Sequence, residues 1–283
     1  MAWAPATAAR LPDGRLHLHH GPIDIIARAY GPGAAAAEVR AEARFATVLT
    51  DLAAELPALR QPADQTAVSG AIAQAMLAAC RAHLPVFVTP MAAVAGAVAD
   101  AVIAAMAGPG LRRAYANNGG DIALWLAPGE HLTAAIAAPG GGTATIAHGD
   151  PVRGIATSGW PGRSHSLGIA DAVTVLSRSA AKADVAATLI ANAVDLPGHP
   201  AIAREPACAA LPDSDLGPRP VTVAVGPLTA AERAAALDRG AARAEAMAAR
   251  GLIAAAALVL GPDRRVIGPD RLQPHLLGDR QHA

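Results

Sequence analysis

The run Asn117-Asn118-Gly119-Gly120 constrains the fold of this chain more than any other stretch, because it separates two apolar segments within residues 112–126. Paired glycines take positive φ without strain and Asn-Gly favours tight primed turns, so two antiparallel strands are predicted here. Residues 15–20 and 23–30 flank Gly21-Pro22 in a similar way, as do 132–138 and 143–148 around Pro139-Gly140-Gly141-Gly142. Shorter strands are predicted at 154–157, 170–176, 221–225, 251–260 and 265–267. Helices are predicted at 34–56, where Val39, Ala43, Ala46, Leu49 and Leu52 recur at helical spacing, and at 67–83. Another runs from Thr89-Pro90, read as an N-cap with proline at the first helical position, to residue 107. Two more cover 179–195 and 229–250, while the proline-rich stretch 197–220 reads as irregular. Antiparallel strands in the middle with helices on either side predict an α+β fold, antiparallel sheets flanked by helices. The expected organisation is one domain over residues 1–283, with a folded core at 12–270 and a flexible tail at 271–283. The length also accommodates two small lobes.

Composition narrows the partners. Lys+Arg and Asp+Glu both number 23, so the net charge is zero and no long-range field gathers a polyanion. That argues against nucleic acid or an anionic membrane surface as partner. Lys182 is the only lysine, which leaves little room for Schiff-base or Walker-type chemistry. Hydrophobic residues make up 53% but aromatics only 2%, so the interior must rest on many close alanine contacts. The most apolar helix, 91–106, is interrupted by Asp100 and falls short of the ~20 residues that span a bilayer. Cys80 and Cys208 stand alone, which fits a reducing compartment, and residues 1–11 lack a signal-peptide core. A cytoplasmic location is expected.

Three local elements carry chemistry. In the first, Asn118, Gly119, Gly120 and Asp121 offer backbone donors at a tight turn and a carboxylate for ligand hydroxyls or ring N–H groups. An ordinary hairpin needs the same residues and no ligand. The second, Thr157-Ser158-Gly159, presents two hydroxyls and free backbone donors suited to phosphate or a flavin edge. Trp160 follows and could cover a ring system. A hydroxyl-stabilised turn is the plain alternative. In the third, Asp184 and Thr188 stand one helical turn apart on one face, a pair able to hold Mg²⁺, or simply a charge near the helix start and a packed threonine. His165, flanked by Ser164 and Ser166, is a candidate base or phosphate contact, or a surface histidine. His17, His19 and His20 cluster on one strand without an identifiable third metal ligand, so a solvated strand is the favoured reading.

Taken in order, the glycine turn, the Ala-Thr-Ser-Gly turn, the Val173-Thr174-Val175 strand and the helix carrying Ala183-Asp184-x-x-x-Thr188 resemble the ApbE-type superfamily, best known for FAD:protein FMN transferases. Residues 90–97 and 154–188 resemble a shorter branch, uncharacterised protein family 0280. The resemblance implies FAD or FMN as ligand and Mg²⁺ held by Asp184 and Thr188. It places Gly119, Gly120 and Asp121 on the flavin side and Thr157-Ser158-Gly159 on the nucleotide or phosphate, with a protein hydroxyl as acceptor of FMN. The chain departs from the transferases after the second turn, where His165 is followed by Ser166-Leu167-Gly168 instead of an Asp-Pro-like turn. A non-catalytic flavin or nucleotide carrier, and an enzyme of sulfur or amino-acid metabolism on the same scaffold, are the competing functions. A homodimer through the alanine-rich helices is open.

Overall fold

The computed structural model describes residues 3–135, 142–162 and 164–268, with the backbone of 272–273. Strands β1 (Thr7–Arg10), β2 (Leu16–His20) and β3 (Ile23–Tyr30) lead into helices α1 (Ala34–Ala54), α2 (Leu56–Leu59), α3 (Ala71–Arg81) and α4 (Val94–Met106). Next come β4 (Arg113–Asn118), β5 (Asp121–Leu126), β6 (His131–Ala135), β7 (Thr143–Ala147), β8 (Gly154–Ser158), β9 (Ala172–Ser177) and α5 (Ala180–Ala193). The chain continues through β10 (Ile202–Pro206), α6 (Ala207–Ala210), β11 (Pro220–Val225), α7 (Ala230–Ala249), β12 (Ala255–Leu260), β13 (Asp263–Ile267) and β14 (Leu272–Gln273).

Nine strands form one sheet in the order β1-β2-β3-β4-β5-β8-β9-β12-β13, and every pair in it is antiparallel. The fold is α+β, with antiparallel sheets flanked by helices, as the sequence predicts. Along β3 the burial alternates strictly, because only one face meets the helices. All six residues of β9 are buried instead. Val173 and Val175 join the main core beneath the helices, whereas Leu176 joins a second core with Leu124, Ile146 and Ile155. The three-stranded sheet β14-β7-β6 covers that second face, which makes the centre of the molecule three layers deep.

The glycine turn is built as expected. Gly119 and Gly120 take φ of +66° and +117°, and Asn118 and Asp121 form the last pair of the β4–β5 ladder. The Gly120 N–H donates to Asn117 Oδ1 at 2.8 Å.

Elsewhere the structure corrects the expectations. Helix α1 buries Ala37, Ala41, Phe45, Val48, Leu49 and Leu52, while Val39 is 64% exposed. Alanine carries too little burial energy to fix the phase of a helix, and Phe45 turned the seam. Thr89 caps no helix: a 3-10 turn, Pro90–Ala93, precedes α4, and the Thr89 hydroxyl bonds Asp215 instead. The stretch 197–220 is not irregular throughout, for it holds β10 and α6, and β10 pairs with β11 outside the large sheet. Of residues 271–283, read from sequence as a flexible tail, 272–273 form β14 and the others lie outside the described residues, and β1 precedes the expected core boundary.

Helix α7 starts with a capping box, in which Thr229 Oγ1 accepts from Glu232 N and Glu232 Oε2 accepts from Thr229 N. His199 adds a bond to Glu232 Oε1 at 3.0 Å. Just beyond α3, buried His83 has its pKa pushed down to about 4, first by burial and then by Arg250 and Arg243. An unfolded histidine near 6.5 binds the proton more readily, so His83 contributes stability above pH 6.5 that is lost as pH falls toward 4. The loss should approach about 3 kcal/mol across that window. Urea melts between pH 7 and 4 should show it, and His83→Gln should flatten the slope. Parallel curves for the two proteins would refute the assignment.

Candidate functional site

Helices α4 and α5 cross so closely that a Cβ on Gly96 would stand 2.3 Å from the Ala180 carbonyl oxygen. Each helix caps the other at this crossing. Asp100 of α4 accepts the first N–H groups of α5, Ala180 and Ala181, both at 2.9 Å. Asp184 of α5 accepts in return from Gly96 N at 3.0 Å, in the first turn of α4. Orphan donors at both helix starts are thereby satisfied by carboxylates from the neighbouring helix, and at α5 the Ser179 hydroxyl adds a local cap by accepting from Lys182 N at 3.3 Å. Asp100, which the sequence shows only as an interruption of an apolar helix, has this structural role. Burial raises its pKa, and the two backbone donors oppose that rise.

Beside the crossing lies a cavity of about 630 Å³. The ends of β4 and β5 contribute Asn118, Gly119 and Asp121, and the end of β8 contributes Thr157, Ser158 and Gly159. Helix α5 adds Asp184 and Thr188, and the loop after β8 adds His165. Nine of the ten residues singled out from sequence therefore share one concave surface. Gly120 does not line it. Trp160 does not line it either; its indole Nε1 donates to Asp171 Oδ1 at 3.3 Å.

The local reasons for these positions are specific. A side chain on Gly159 would approach Asp171 O to 2.4 Å, so only glycine lets the strand end turn there. Thr157 and Thr174 hydroxyls bond at 2.9 Å across β8 and β9. Asn118 Nδ2 donates to Ala95 O at 3.1 Å, tying the glycine turn to the start of α4.

Electrostatically the cavity is acidic. Burial raises the Asp184 pKa well above the usual carboxylate range, and the nearby Asp121 carboxylate raises it further. The backbone donors of Gly96 and Ala95 pull the other way without reversing the shift. Asp215 adds another carboxylate to the lining, and none of the described lining residues is Lys or Arg. Among the described residues no group of three or more His, Cys, Asp and Glu is arranged to hold a metal. Two carboxylates and the Thr188 hydroxyl nevertheless suit a hard cation that keeps waters and completes its shell with substrate phosphate, as Mg²⁺ does.

Sequence reading missed Phe87, Asn192 and Asp215, which also line the cavity. Phe87 carries the Arg219 guanidinium over its ring at 3.3 Å from the centroid. Asp215 and Leu216 come from the proline-rich stretch, where no periodicity marks them. Asn192 was legible in principle, since it continues the spacing of Asp184 and Thr188 by one more turn. His17 bonds Asp24 at 3.1 Å on the sheet far from these elements in sequence, and the histidine cluster lines no part of the cavity. Cys80 is buried and donates to Thr89 O, its pKa pushed up by burial, and Cys208 is exposed.

The chain is thus an α+β protein with an acidic cavity beside a helix crossing. It belongs to the family described as AbpE bacteria, whose model matches residues 8–269. A UPF0280 protein of Methanothrix thermoacetophila is 42% identical over 120 residues, which covers 41% of this chain and 50% of that protein. The chain thus matches about half the length of this curated relative. The crystal structure of Pseudomonas stutzeri flavinyl transferase ApbE, apo form, aligns with a TM-score of 0.40 at 15% identity over 94% of each chain. No described helix is long and apolar enough to cross a membrane.

Proposed function

We propose that this cavity binds a flavin nucleotide, FAD or FMN, together with Mg²⁺, and that the protein acts as an FMN transferase on FAD. One observation carries the reading: two facing carboxylates, Asp121 and Asp184, line a cavity whose described walls hold no Lys or Arg. A pyrophosphate entering such a site meets repulsion unless a cation bridges it to the carboxylates. Asp184 and Thr188 would hold Mg²⁺, which would supply charge neutralisation on the phosphate oxygens. Asn118, Gly119 and Asp121 would contact one part of the nucleotide, and Thr157, Ser158 and Gly159 another through hydroxyl and backbone donors. His165, half-buried at the cavity wall, would take the proton of an attacking protein hydroxyl. Family membership and the ordered motifs support the flavin.

Titration of the protein with FAD in the presence and absence of Mg²⁺ tests the reading. Calorimetry and flavin fluorescence should show saturable binding that weakens at least tenfold when EDTA removes the metal. The reading fails if FAD with Mg²⁺ produces neither heat nor a fluorescence change. Bound flavin without AMP release in the presence of acceptor proteins would favour a carrier over a transferase.

A further inference from the structure

Asp184, Thr188 and Asn192 occupy successive turns of α5, and all three line the cavity. At 1.5 Å rise per residue, Asn192 stands about 12 Å along the helix axis from Asp184. Asn192 is held in one orientation by its neighbours. The Leu167 N–H donates to Asn192 Oδ1 at 2.9 Å, and the Ser166 hydroxyl donates to the same oxygen at 3.2 Å. A backbone N–H can only donate, so the atom it meets is the amide oxygen and the amide NH₂ is directed elsewhere. Ser166 Oγ in turn accepts from Gly168 N at 3.2 Å. Gly168 is required there, because a Cβ would lie 2.1 Å from Ala191 O. Ser166-Leu167-Gly168, the segment by which this chain departs from the transferase pattern, is therefore the clamp that orients Asn192. The Nδ2 atom is not among the buried polar atoms lacking a partner, and Asn192 is only half-buried.

We infer that Asn192 is a specificity-determining residue, which donates its amide N–H groups to a hydrogen-bond acceptor on the ring portion of the ligand. Ser166 is its positioning residue. The inference rests on the nucleotide reading of the cavity and adds to it. With the phosphates at Asp184 and Thr188, the group reaching Asn192 is a planar heterocycle with a ring carbonyl or ring nitrogen. Both the isoalloxazine and the adenine of FAD have such acceptors, so the shared chemistry is the acceptor edge.

Binding of FAD, FMN and ADP, each with Mg²⁺, to wild-type protein, Asn192→Leu, Asn192→Asp and Ser166→Ala distinguishes the sources. Asn192→Asp retains the oxygen that accepts from Leu167 and Ser166, so it preserves the clamp while replacing donors by an acceptor. FAD should bind about tenfold more weakly to both Asn192 variants, the effect of one lost hydrogen bond to a buried acceptor. The loss should recur with either FMN or ADP but not both, which names the ring that is read. Ser166→Ala should weaken the same arm by a smaller factor and leave the other arm unchanged. Equal losses on FMN and ADP would point to cavity charge or shape and overturn the inference, as would unchanged FAD binding by Asn192→Leu. If wild-type protein binds none of the three ligands, the nucleotide reading and the inference both fall. If it binds FAD and the variants match it, the inference alone falls.

Discussion

Gly96→Val is expected to destabilise the protein by about 3 kcal/mol or more, a large part of the stability of an ordinary domain. The added Cβ has no direction in which to move, because its first obstacles are backbone atoms of Ala180 and Ala181, at 2.3 to 2.7 Å. Helices α4 and α5 would have to separate, and separation would break the reciprocal caps made by Asp100 and Asp184. Three backbone N–H groups and two carboxylates would then lose their partners together. Urea denaturation of the variant should show a lower midpoint with an unchanged slope if the fold survives. An unfolding free energy within about 0.5 kcal/mol of wild type would mean that the two helices can part at the crossing without this loss.

The second large effect separates ligand binding from stability. Asp184→Asn retains an oxygen for the Gly96 N–H and removes the charge, so the cap on α4 survives while the cation loses its carboxylate. Mg²⁺-dependent FAD binding should weaken by roughly thirtyfold or more, corresponding to the ~2 kcal/mol lower end for loss of a buried charged partner. The metal-free variant should be more stable than wild type at neutral pH. The sign follows from linkage: burial and Asp121 raise the folded pKa of Asp184, so the folded state holds the proton more tightly than the unfolded chain. Stability from this group is fully present below the ordinary carboxylate pKa and is lost as pH rises through the folded value. The asparagine variant does not titrate and should lack that decline. Thermal melts from pH 4 to 8 without metal, paired with FAD titrations, test both halves. A variant that binds FAD as wild type does would remove Asp184 from the metal site.

Much of the fold was legible because its turns are strict. Gly119-Gly120 and the pairing of β2 with β3 follow from backbone freedom and alternation, which are local properties. Helix α5 was also legible, and the spacing of Asp184 and Thr188 gave a shared face without any tertiary information. The phase of α1 was not, since in an alanine-rich helix several faces are equally apolar. The role of Thr89 was missed for another reason. Its local sequence favours a cap, but the decisive partner, Asp215, lies 126 residues away. Asp215, Leu216 and Phe87 belong to segments with no periodic signature, and tertiary packing alone brings them to the cavity. Asn192 is the instructive case. Its position followed the helical spacing already noted, but its orientation depends on Ser166 and Leu167, which sequence could show only as a departure from the transferases.

The sheet order has a consequence for how the cavity opens. Thr157 and Ser158 end a strand that pairs with the fully buried β9, the part of the fold that solvent reaches last. Asp215 and Leu216 instead lie between β10 and β11, a two-stranded ribbon separate from the large sheet. One wall of the cavity is thus anchored in the large sheet and another beside a ribbon joined to the rest of the fold through Thr222 N to Ser166 O at 2.9 Å and through Arg204 to Leu167 O and Asp195. Opening of that ribbon would have to break those bonds, two of which end on the segment that orients Asn192, while the Gly96 N–H that holds Asp184 lies outside it.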